Sequence, residues 1–506
     1  MKLNYKRTIF VGMAFLLITA FWQAYDAIVP LILTNHFGLP QTASGAIMSL
    51  DNILAVFMLP LFGTLSDKVM TKLGKRTPFI LVGTLSAVVS FIALMLIDAY
   101  QLNAVIDAGI PERFNACADL LKEANEALKE AGKAGNTVAV EAIQRSIEAI
   151  NADIDLIVAD TLEITLANLW PMIAFIAVLL LTLIAMATFR SPAVALMPDV
   201  TVKPLRSKGN AIINLMGTAG GILVLVLGTV FKTSANKYMQ YTGYVLAVCA
   251  IMILGLVVFI STVKENKWAR EMEEQTRALG LDEGGADDKN SKDSTEKRKL
   301  SKGEFRSLML ILASVALWYI GYNSITSKYS VYATNVLFFD FNLTLIIAQA
   351  AAVIAYIPVG IISSRFGRKK TILAGVAMLA AAFIIGNFVT FSTPEFLMYP
   401  VFVLAGIGWA TINVNSFPMA VELARGGDVG KYTGYYYTAS MAAQIVAPIL
   451  SGILYDIFGM RYTFFTFGAV FVVLSFVTML FVKHGEPEKI NTAEKKSALE
   501  HLDIDD

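Results

Sequence analysis

The chain has 506 residues, of which 56% are hydrophobic and only 16% charged, and its net charge is +1. Soluble domains carry about one quarter charged residues, so this balance excludes an ordinary soluble protein and indicates a chain that crosses a membrane many times. Near-zero net charge gives no electrostatic argument for a nucleic acid or for an acidic partner.

The N-terminus carries Lys2, Lys6 and Arg7 ahead of an apolar run from Ile9 to Leu33. That run exceeds the apolar core of a signal peptide, and no small-residue cleavage site follows it. It is expected to be a first membrane helix that is not removed. Spanning the hydrocarbon core takes about 20 apolar residues as helix. Twelve stretches qualify, near 8–34, 42–66, 77–100, 169–198, 207–231, 241–263, 305–335, 342–366, 369–391, 395–424, 428–455 and 461–483. Helix is forced, because lipid cannot satisfy open backbone groups. Pro30, Pro60, Pro358 and Pro448 are tolerable inside spans where neighbouring helices cover the freed groups.

Two polar segments interrupt the spans. Residues 101–168 hold twelve acidic against five basic side chains. Ile143, Ile147, Ile150, Ile154 and Ile157 repeat at helical spacing, and Phe114, Ala118, Leu121, Ala124 and Leu128 form a matching stripe. Gly132, Gly135 and Asn136 mark a turn between them, which predicts a helical hairpin capping the outer face. Residues 264–304 begin helical and charged, then pass through Gly284, Gly285, Asp287 and Asp288, and read as a linker, partly disordered. The expected organisation is 1–100 and 169–263 for a first six-helix bundle, with 101–168 inserted into it. The linker 264–304, a second bundle 305–483 and a tail 484–506 follow.

Orientation follows from Lys and Arg in the loops. Basic residues stand before the first span and after the second, fourth, eighth and tenth, at Lys75 and Arg76, Lys203 and Arg206, Arg368 to Lys370, and Arg425. The loops after the first, seventh, ninth and eleventh spans have almost none. Both termini and the linker are therefore expected in the cytoplasm, in a multi-pass protein of the cell membrane.

The two halves repeat. Tyr25-Asp26 and Tyr322-Asn323, Asn52 and Gln349, and Gly63 and Gly360 each stand 297 residues apart. Past the insert the offset becomes 223, for Ala187-Thr188 and Ala410-Thr411, Arg190 and Asn413, Asp199 and Glu422, and Lys208 and Lys431. The change in offset is close to the length of the 101–168 segment, so the insert belongs to one half of a duplicated unit.

Gly63 to Ile80 reads GTLSDKVMTKLGKRTPFI, and Gly360 to Lys370 reads GIISSRFGRKK. A glycine-marked basic loop occurring once in each half resembles the signature loop of the major facilitator superfamily of transporters, where it joins the second and third helices of each half. The resemblance covers nearly all the spans but not 101–168. It implies an all-α membrane fold of 12 helices in two pseudo-symmetric six-helix bundles, with the solute site at the midplane between them. The longer spacing between Asp67 and Gly74, the ending GKRTPFI, and the stretches RSPAVALMPDV and RSKGNA are similar to the sucrose-transporter and glycoside–pentoside–hexuronide:cation symporter branches. The second loop departs from the pattern at Ser364, where the family usually has an acid.

The latch residues are taken as Gly63, Asp67, Arg76 and Asp199 in the first half and Gly360, Gly367, Arg368 and Glu422 in the second. Glycines there allow close approach. A carboxylate facing an arginine or a helix N-terminus of the opposite half would hold the cytoplasmic side shut.

Ionisable residues inside spans need a partner or a wet cavity. Asp26 and Asp51 are the candidates for cation coupling, with Asp51 also able to pair with Lys328. Arg190 suits an anionic group of a solute, or a lock on either carboxylate. Sugars are read by planar polar side chains and aromatic faces. Trp22, Tyr25, Asn52, Asn214, Tyr322, Asn323, Gln349, Asn413, Asn415 and Gln444 supply that chemistry at plausible depth, although amides also serve as interhelical glue. Cys117 and Cys249 fall in dissimilar segments and form no disulfide framework, and His36, His484 and His501 read as solvated.

No phosphate-binding loop, metal-ligand cluster or nucleophile–base constellation is present in the sequence, so no cofactor, metal or enzymatic activity is expected. The expected activity is alternating-access transport of a small polar solute, a sugar or glycoside, with H⁺ or Na⁺ as coupling ion. The partners are the solute and the bilayer, with no nucleic acid, and the protein is expected to act as a monomer. The alternatives are export of an amphipathic or anionic metabolite on the same fold, and a transporter-like receptor with 101–168 as its ligand platform.

Overall fold

The computed structural model describes residues 3–202, 205–278, 301–390, 392–422 and 429–484. The expectations placed on Lys203, Arg425, the glycine-rich part of the linker and the tail beyond 484 lie outside the described residues.

The first half is built from α1 (Tyr5–Leu31), α2 (Gln41–Met48), α3 (Leu50–Lys68), α4 (Thr77–Asp107), α5 (Ile110–Lys133), α6 (Thr137–Ala167), α7 (Trp170–Asp199), α8 (Arg206–Val230) and α9 (Thr242–Thr262). After α10 (Glu265–Ala278) come α11 (Lys302–Thr326), α12 (Tyr329–Tyr332), α13 (Phe341–Phe366), α14 (Arg368–Gly386), α15 (Met398–Val421), α16 (Val429–Phe458) and α17 (Met460–Leu480). Among the described residues, 12 helical stretches are long and apolar enough to cross a membrane.

Two spans are less regular than the hydropathy implies. The second breaks at Ser49, whose hydroxyl donates to Gly45 O at 2.9 Å and to Ile445 O at 2.9 Å. A serine that bonds back to its own helix loosens the ladder at that turn. The seventh breaks between α11 and α12, at Ser327 and Lys328. The first and seventh spans both finish in a π-helical turn, Ile32–His36 and Ala333–Leu337, which keeps the duplicated halves alike at these ends.

Within the first half α1 packs on α8 and α9, and α4 on α7; within the second, α14 packs on α15, and α11 on α16 and α17. The halves meet where α2 lies on α16, α8 on α13 and α1 on α12. Helices α5 and α6 pack on each other, and Phe114 and Ile157 share a small apolar cluster with Leu102, Val105 and Tyr238. Gly38, at φ +64°, passes under α6 so closely that a Cβ would stand 2.5 Å from Leu162 N. Only glycine meets both demands.

The last described element before the linker, α10, has a clear task. Glu265 is 3% exposed, and its carboxylate accepts from the backbone N–H groups of Lys75 (2.6 Å), Arg76 (2.9 Å) and Thr77 (2.8 Å) and from the Thr77 hydroxyl (2.7 Å). Those are the orphan donors at the start of α4, so a negative charge there satisfies them and complements the helix dipole. It ties α10 to the loop that carries the latch residues.

Candidate functional site

A cavity of about 440 Å³ lies between the halves. From α1 come Thr19, Gln23 and Asp26; from α11, Tyr322 and Asn323; from α13, Gln349 and Tyr356; and from α15, Trp409. Gln349 Nε2 donates to Gln23 Oε1 at 2.6 Å, so one amide pair bridges the two bundles across the cavity. Asp26 has an exposed side chain within this wall. Tyr322 stacks on Trp409 (6.0 Å between centroids, 26°), and Tyr356 meets Trp409 edge-on at 6.3 Å. Phe383, Val401, Phe402 and Phe465 close the remaining wall. The result is polar groups on one side and flat aromatic faces on another, a lining suited to a small solute with both polar and C–H surfaces.

Of the expected solute contacts, Tyr322, Asn323 and Gln349 line this cavity, and Asn413 lies beside Tyr356, which forms part of its wall. The others stand elsewhere. Tyr25 is fully buried, stacked on Phe21 at 6.0 Å and edge-on to Trp22. Asn52 donates to Asp51 Oδ1 through its backbone N–H (2.5 Å) and its side chain (2.7 Å). Asn415 accepts from Ser363 and donates to Thr411 O at 2.8 Å, joining α15 to α13. Gln444 donates to Ser440 O at 3.2 Å in its own helix, and Asn214 is exposed on α8 outside the cavity wall. In this conformation these residues stand outside the chamber wall, and the cause is helix phase. Hydropathy gives the depth of an amide along a span but not the face it presents.

The ionisable residues divide in the same way. Asp26 opens into the cavity, whereas Asp51, Trp22 and Arg190 line a separate narrow crevice among α1, α3 and α7. The Arg190 guanidinium lies 5.7 Å from the Trp22 ring centroid, a cation–π distance, and both carboxylates act on it electrostatically. Lys328 does not pair with Asp51. It is fully buried and donates to Ser44 Oγ at 2.6 Å, across the interface between the halves.

The expectation placed the latch contacts across the halves; in this conformation the latch residues bond within their own halves. Arg76 is 6% exposed; it donates to Asp199 Oδ2 at 2.8 Å and also to Asp67 and Ser66. Arg368 donates to Glu422 Oε2 at 2.7 Å and to Pro418 O at 3.2 Å. In each half the arginine ahead of the third span therefore holds the carboxylate that ends the fourth. A Cβ on Gly63 would meet Ser191 Oγ at 3.0 Å, one on Gly360 would meet nothing within 4 Å, and Gly367 turns the chain at φ +93°.

The bridges between halves cluster at the opposite, α5–α6 end. Asp456 of α16 accepts from Gln41 N (2.7 Å), Thr42 N (2.8 Å) and Thr42 Oγ1 (2.6 Å), so it caps the N-terminus of α2. Asn35 and Asn335 exchange amide hydrogen bonds, at 2.7 Å and 3.3 Å. Ser234 donates to Asp340 Oδ1 at 2.8 Å, and Asn342 Nδ2 to Thr233 Oγ1 at 2.9 Å. None of these was singled out from the sequence, although a signal existed. Thr34-Asn35 and Thr334-Asn335 repeat the same pair in the two halves.

His36 corrects the expectation of a solvated side chain. It is fully buried, its Nδ1 lies 2.6 Å from Asp98 Oδ1, and Tyr241 stacks on the ring at 5.7 Å.

A two-bundle helical chain with a solute-sized cavity on its internal axis has the architecture of a membrane transporter. The MFS_1 like family model matches residues 21–306, and the Major Facilitator Superfamily model matches 329–504. The chain belongs to the major facilitator superfamily, a family of transporters and not of enzymes. It is similar to the inward-open xylose transporter XylE from E. coli (12% identity, TM-score 0.59, 98% of this chain and 100% of that one). It is also similar to a bacterial homologue of the iron transporter ferroportin in an inward-facing state (12%, TM-score 0.61, 96% and 100%). In sequence it is 25% identical over 130 residues to an uncharacterized MFS-type transporter, MJ1560, of Methanocaldococcus jannaschii. That match takes in 26% of this chain and 33% of the relative's length.

Proposed function

We propose that this secondary transporter carries a small polar solute, a sugar or glycoside, together with H⁺ or Na⁺, and that Asp26 receives the coupling ion. The carrying observation is Asp26 open to a cavity that also holds the Gln23–Gln349 pair, Asn323 and the Tyr322–Trp409 faces. Amides and a carboxylate read hydroxyls, and aromatic faces take the C–H side of a sugar ring. A carboxylate in the wall of the solute's own chamber couples the two by linkage, since each ligand changes the affinity for the other.

We further propose that the termini and α10 face the cytoplasm, that α5–α6 is an extracellular hairpin, that the protein works as a monomer in the cell membrane, and that this conformation is the inward-open one. Loop charges support the orientation. The closed state of the α5–α6 end supports the conformation, because the bridges of Asp456, Asn35 and Ser234 all lie there.

A second reading has its own observation. Phe383, Val401, Phe402 and Phe465 make part of the chamber apolar, as export of an amphipathic metabolite would need. The anionic version of that reading loses support, because Arg190 lies in the crevice and not in the chamber wall. Uptake into proteoliposomes, over a panel of sugars, glycosides and amphipathic cations under imposed H⁺ or Na⁺ gradients, decides between them. Uphill accumulation of a sugar under an inward ion gradient is the expected outcome. Gradient-driven movement of amphipathic compounds alone would replace this reading by the second.

A further inference from the structure

A second cavity, of about 400 Å³, sits at the α5–α6 end, apart from the solute chamber. Its walls come from α5 (Asn115), the 232–237 turn and the 334–340 turn, so it straddles the halves. Two buried polar groups reach it without a hydrogen-bonding partner. Lys237 is 7% exposed, and its ammonium makes no hydrogen bond or ion pair among the described residues; it rests 4.4 Å from the Phe114 ring centroid and 5.7 Å from that of Tyr238. Thr334, from the other half, is 4% exposed, and its hydroxyl has no partner. Such groups are expensive to leave unmade. The backbone is strained here too. Lys232 (φ +54°) and Phe338 (φ +56°) are the only non-glycine residues with positive φ among those described, and both line this cavity. Strain of this kind is retained where the surroundings impose it, often at ligand sites.

The charges have a direction. Lys232, Lys237, Asn115 and Asn236 supply donors from the first half. The carboxylate in the wall, Asp340, takes three hydrogen bonds on Oδ1, from Ser234 Oγ, Asn342 N and Asn342 Nδ2, so two lysines share this cavity with one partly engaged carboxylate. Burial pushes the Lys237 ammonium down to about 8, against the pull of Asp155 on α6. It is therefore still mainly charged at neutral pH and lacks a direct counter-ion.

We propose that this cavity binds a small oxyanion, a carboxylate or phosphate, between the Lys237 ammonium and the Thr334 hydroxyl. Because its walls belong to both halves, the site exists only while this end is shut. A bound oxyanion therefore favours the shut state in proportion to its preference for it. The binding half of this proposal does not depend on which solute the central chamber carries.

Calorimetry on the full chain in phosphatidylcholine nanodiscs tests it, with inorganic phosphate and citrate as probes at constant ionic strength. Saturable millimolar binding is expected for the native chain. Lys237→Gln should weaken it by about tenfold or more, as expected for losing one charge-assisted contact. Thr334→Val, which keeps the shape, should weaken it by about threefold to tenfold, and it reports in place of Lys237→Gln if that variant fails to fold. Equal phosphate binding after phosphatidylglycerol is added to the disc assigns a soluble anion, and competition by that lipid assigns a headgroup phosphate. Bound phosphate should also slow alkylation of a Ser330→Cys reporter in the central chamber from the α5–α6 side. Absence of saturable binding by both probes, or unchanged binding in Lys237→Gln and Thr334→Val, overturns the site. Unchanged alkylation with phosphate bound overturns the link to closure.

Discussion

Asp26→Asn abolishes uphill accumulation of the solute and leaves downhill exchange running. The side chain keeps its shape and its place in the chamber wall but can no longer gain or lose charge. It therefore mimics the neutral, ion-loaded carboxyl permanently. With one proton moved per solute, a gradient of two pH units supplies about 2.7 kcal/mol, a ceiling of ~100-fold accumulation. The variant should fall from that ceiling to about onefold, an equilibrated solute. Asp51→Asn should keep most of the accumulation, because Asp51 faces the crevice with Arg190 and not the chamber. The measurement is steady-state accumulation in proteoliposomes, beside counterflow with equal solute on both sides. Full accumulation in Asp26→Asn sinks the assignment, and collapse in Asp51→Asn alone moves it to the crevice.

Gly45→Leu stops turnover without unfolding the protein. At Gly45 a Cβ would stand 2.1 Å from Pro448 O, and at Gly452 another would stand 2.5 Å from Gln41 O. These contacts exist because α2 and α16 touch backbone to backbone where the halves close, with Asp456 capping α2 beside them. Overpacking in an interior costs about 1–3 kcal/mol, and more where backbone must shift. Here that cost falls only on the shut state. A penalty near 3 kcal/mol shifts the balance toward the opened state by about 100-fold, and net transport should fall by a similar factor. The check is transport together with alkylation of Ser330→Cys from the α5–α6 side, which should accelerate. Normal transport in Gly45→Leu contradicts the role given to this seam.

These two residues show unequal legibility. Asp26 stood out in the sequence because a carboxylate in a 27-residue span of apolar character needs a wet neighbour, and the structure provides one. The seam at Gly45 was silent, since a glycine in a membrane helix has many uses and only the facing backbone gives it one. The spans and the duplication were readable from hydropathy and from offsets that stay constant through Gly63 and Gly360. The depth of Asn415 and Gln444 was readable but their helix face was not, so both were placed at the chamber when one links α15 to α13 and the other bonds within α16. Trp409 and Tyr356 were missed because aromatic residues are common in spans; their shared chamber appears only once α13 and α15 are packed. Asp98 passed unnoticed inside the third span, and with it the buried pairing of His36. Asp67, Asp199 and Glu422 stood out at the cytoplasmic helix ends, but a sequence does not state which arginine each one meets in a given conformation. In this one Arg76 holds Asp67 and Asp199 inside its own half.

The two ends of the bundle are expected to open in turn around one chamber. Spin-label distances measure this directly, with one pair at Ala46 and Ile453 across α2 and α16, and another at Met70 and Phe366 across the α10 end; all four positions are exposed. On addition of a transported solute and its coupling ion, the first distance should lengthen in the same fraction of molecules in which the second shortens. Two distances that change in the same direction, or that stay fixed while solute crosses, would rule out opening of the two ends in turn.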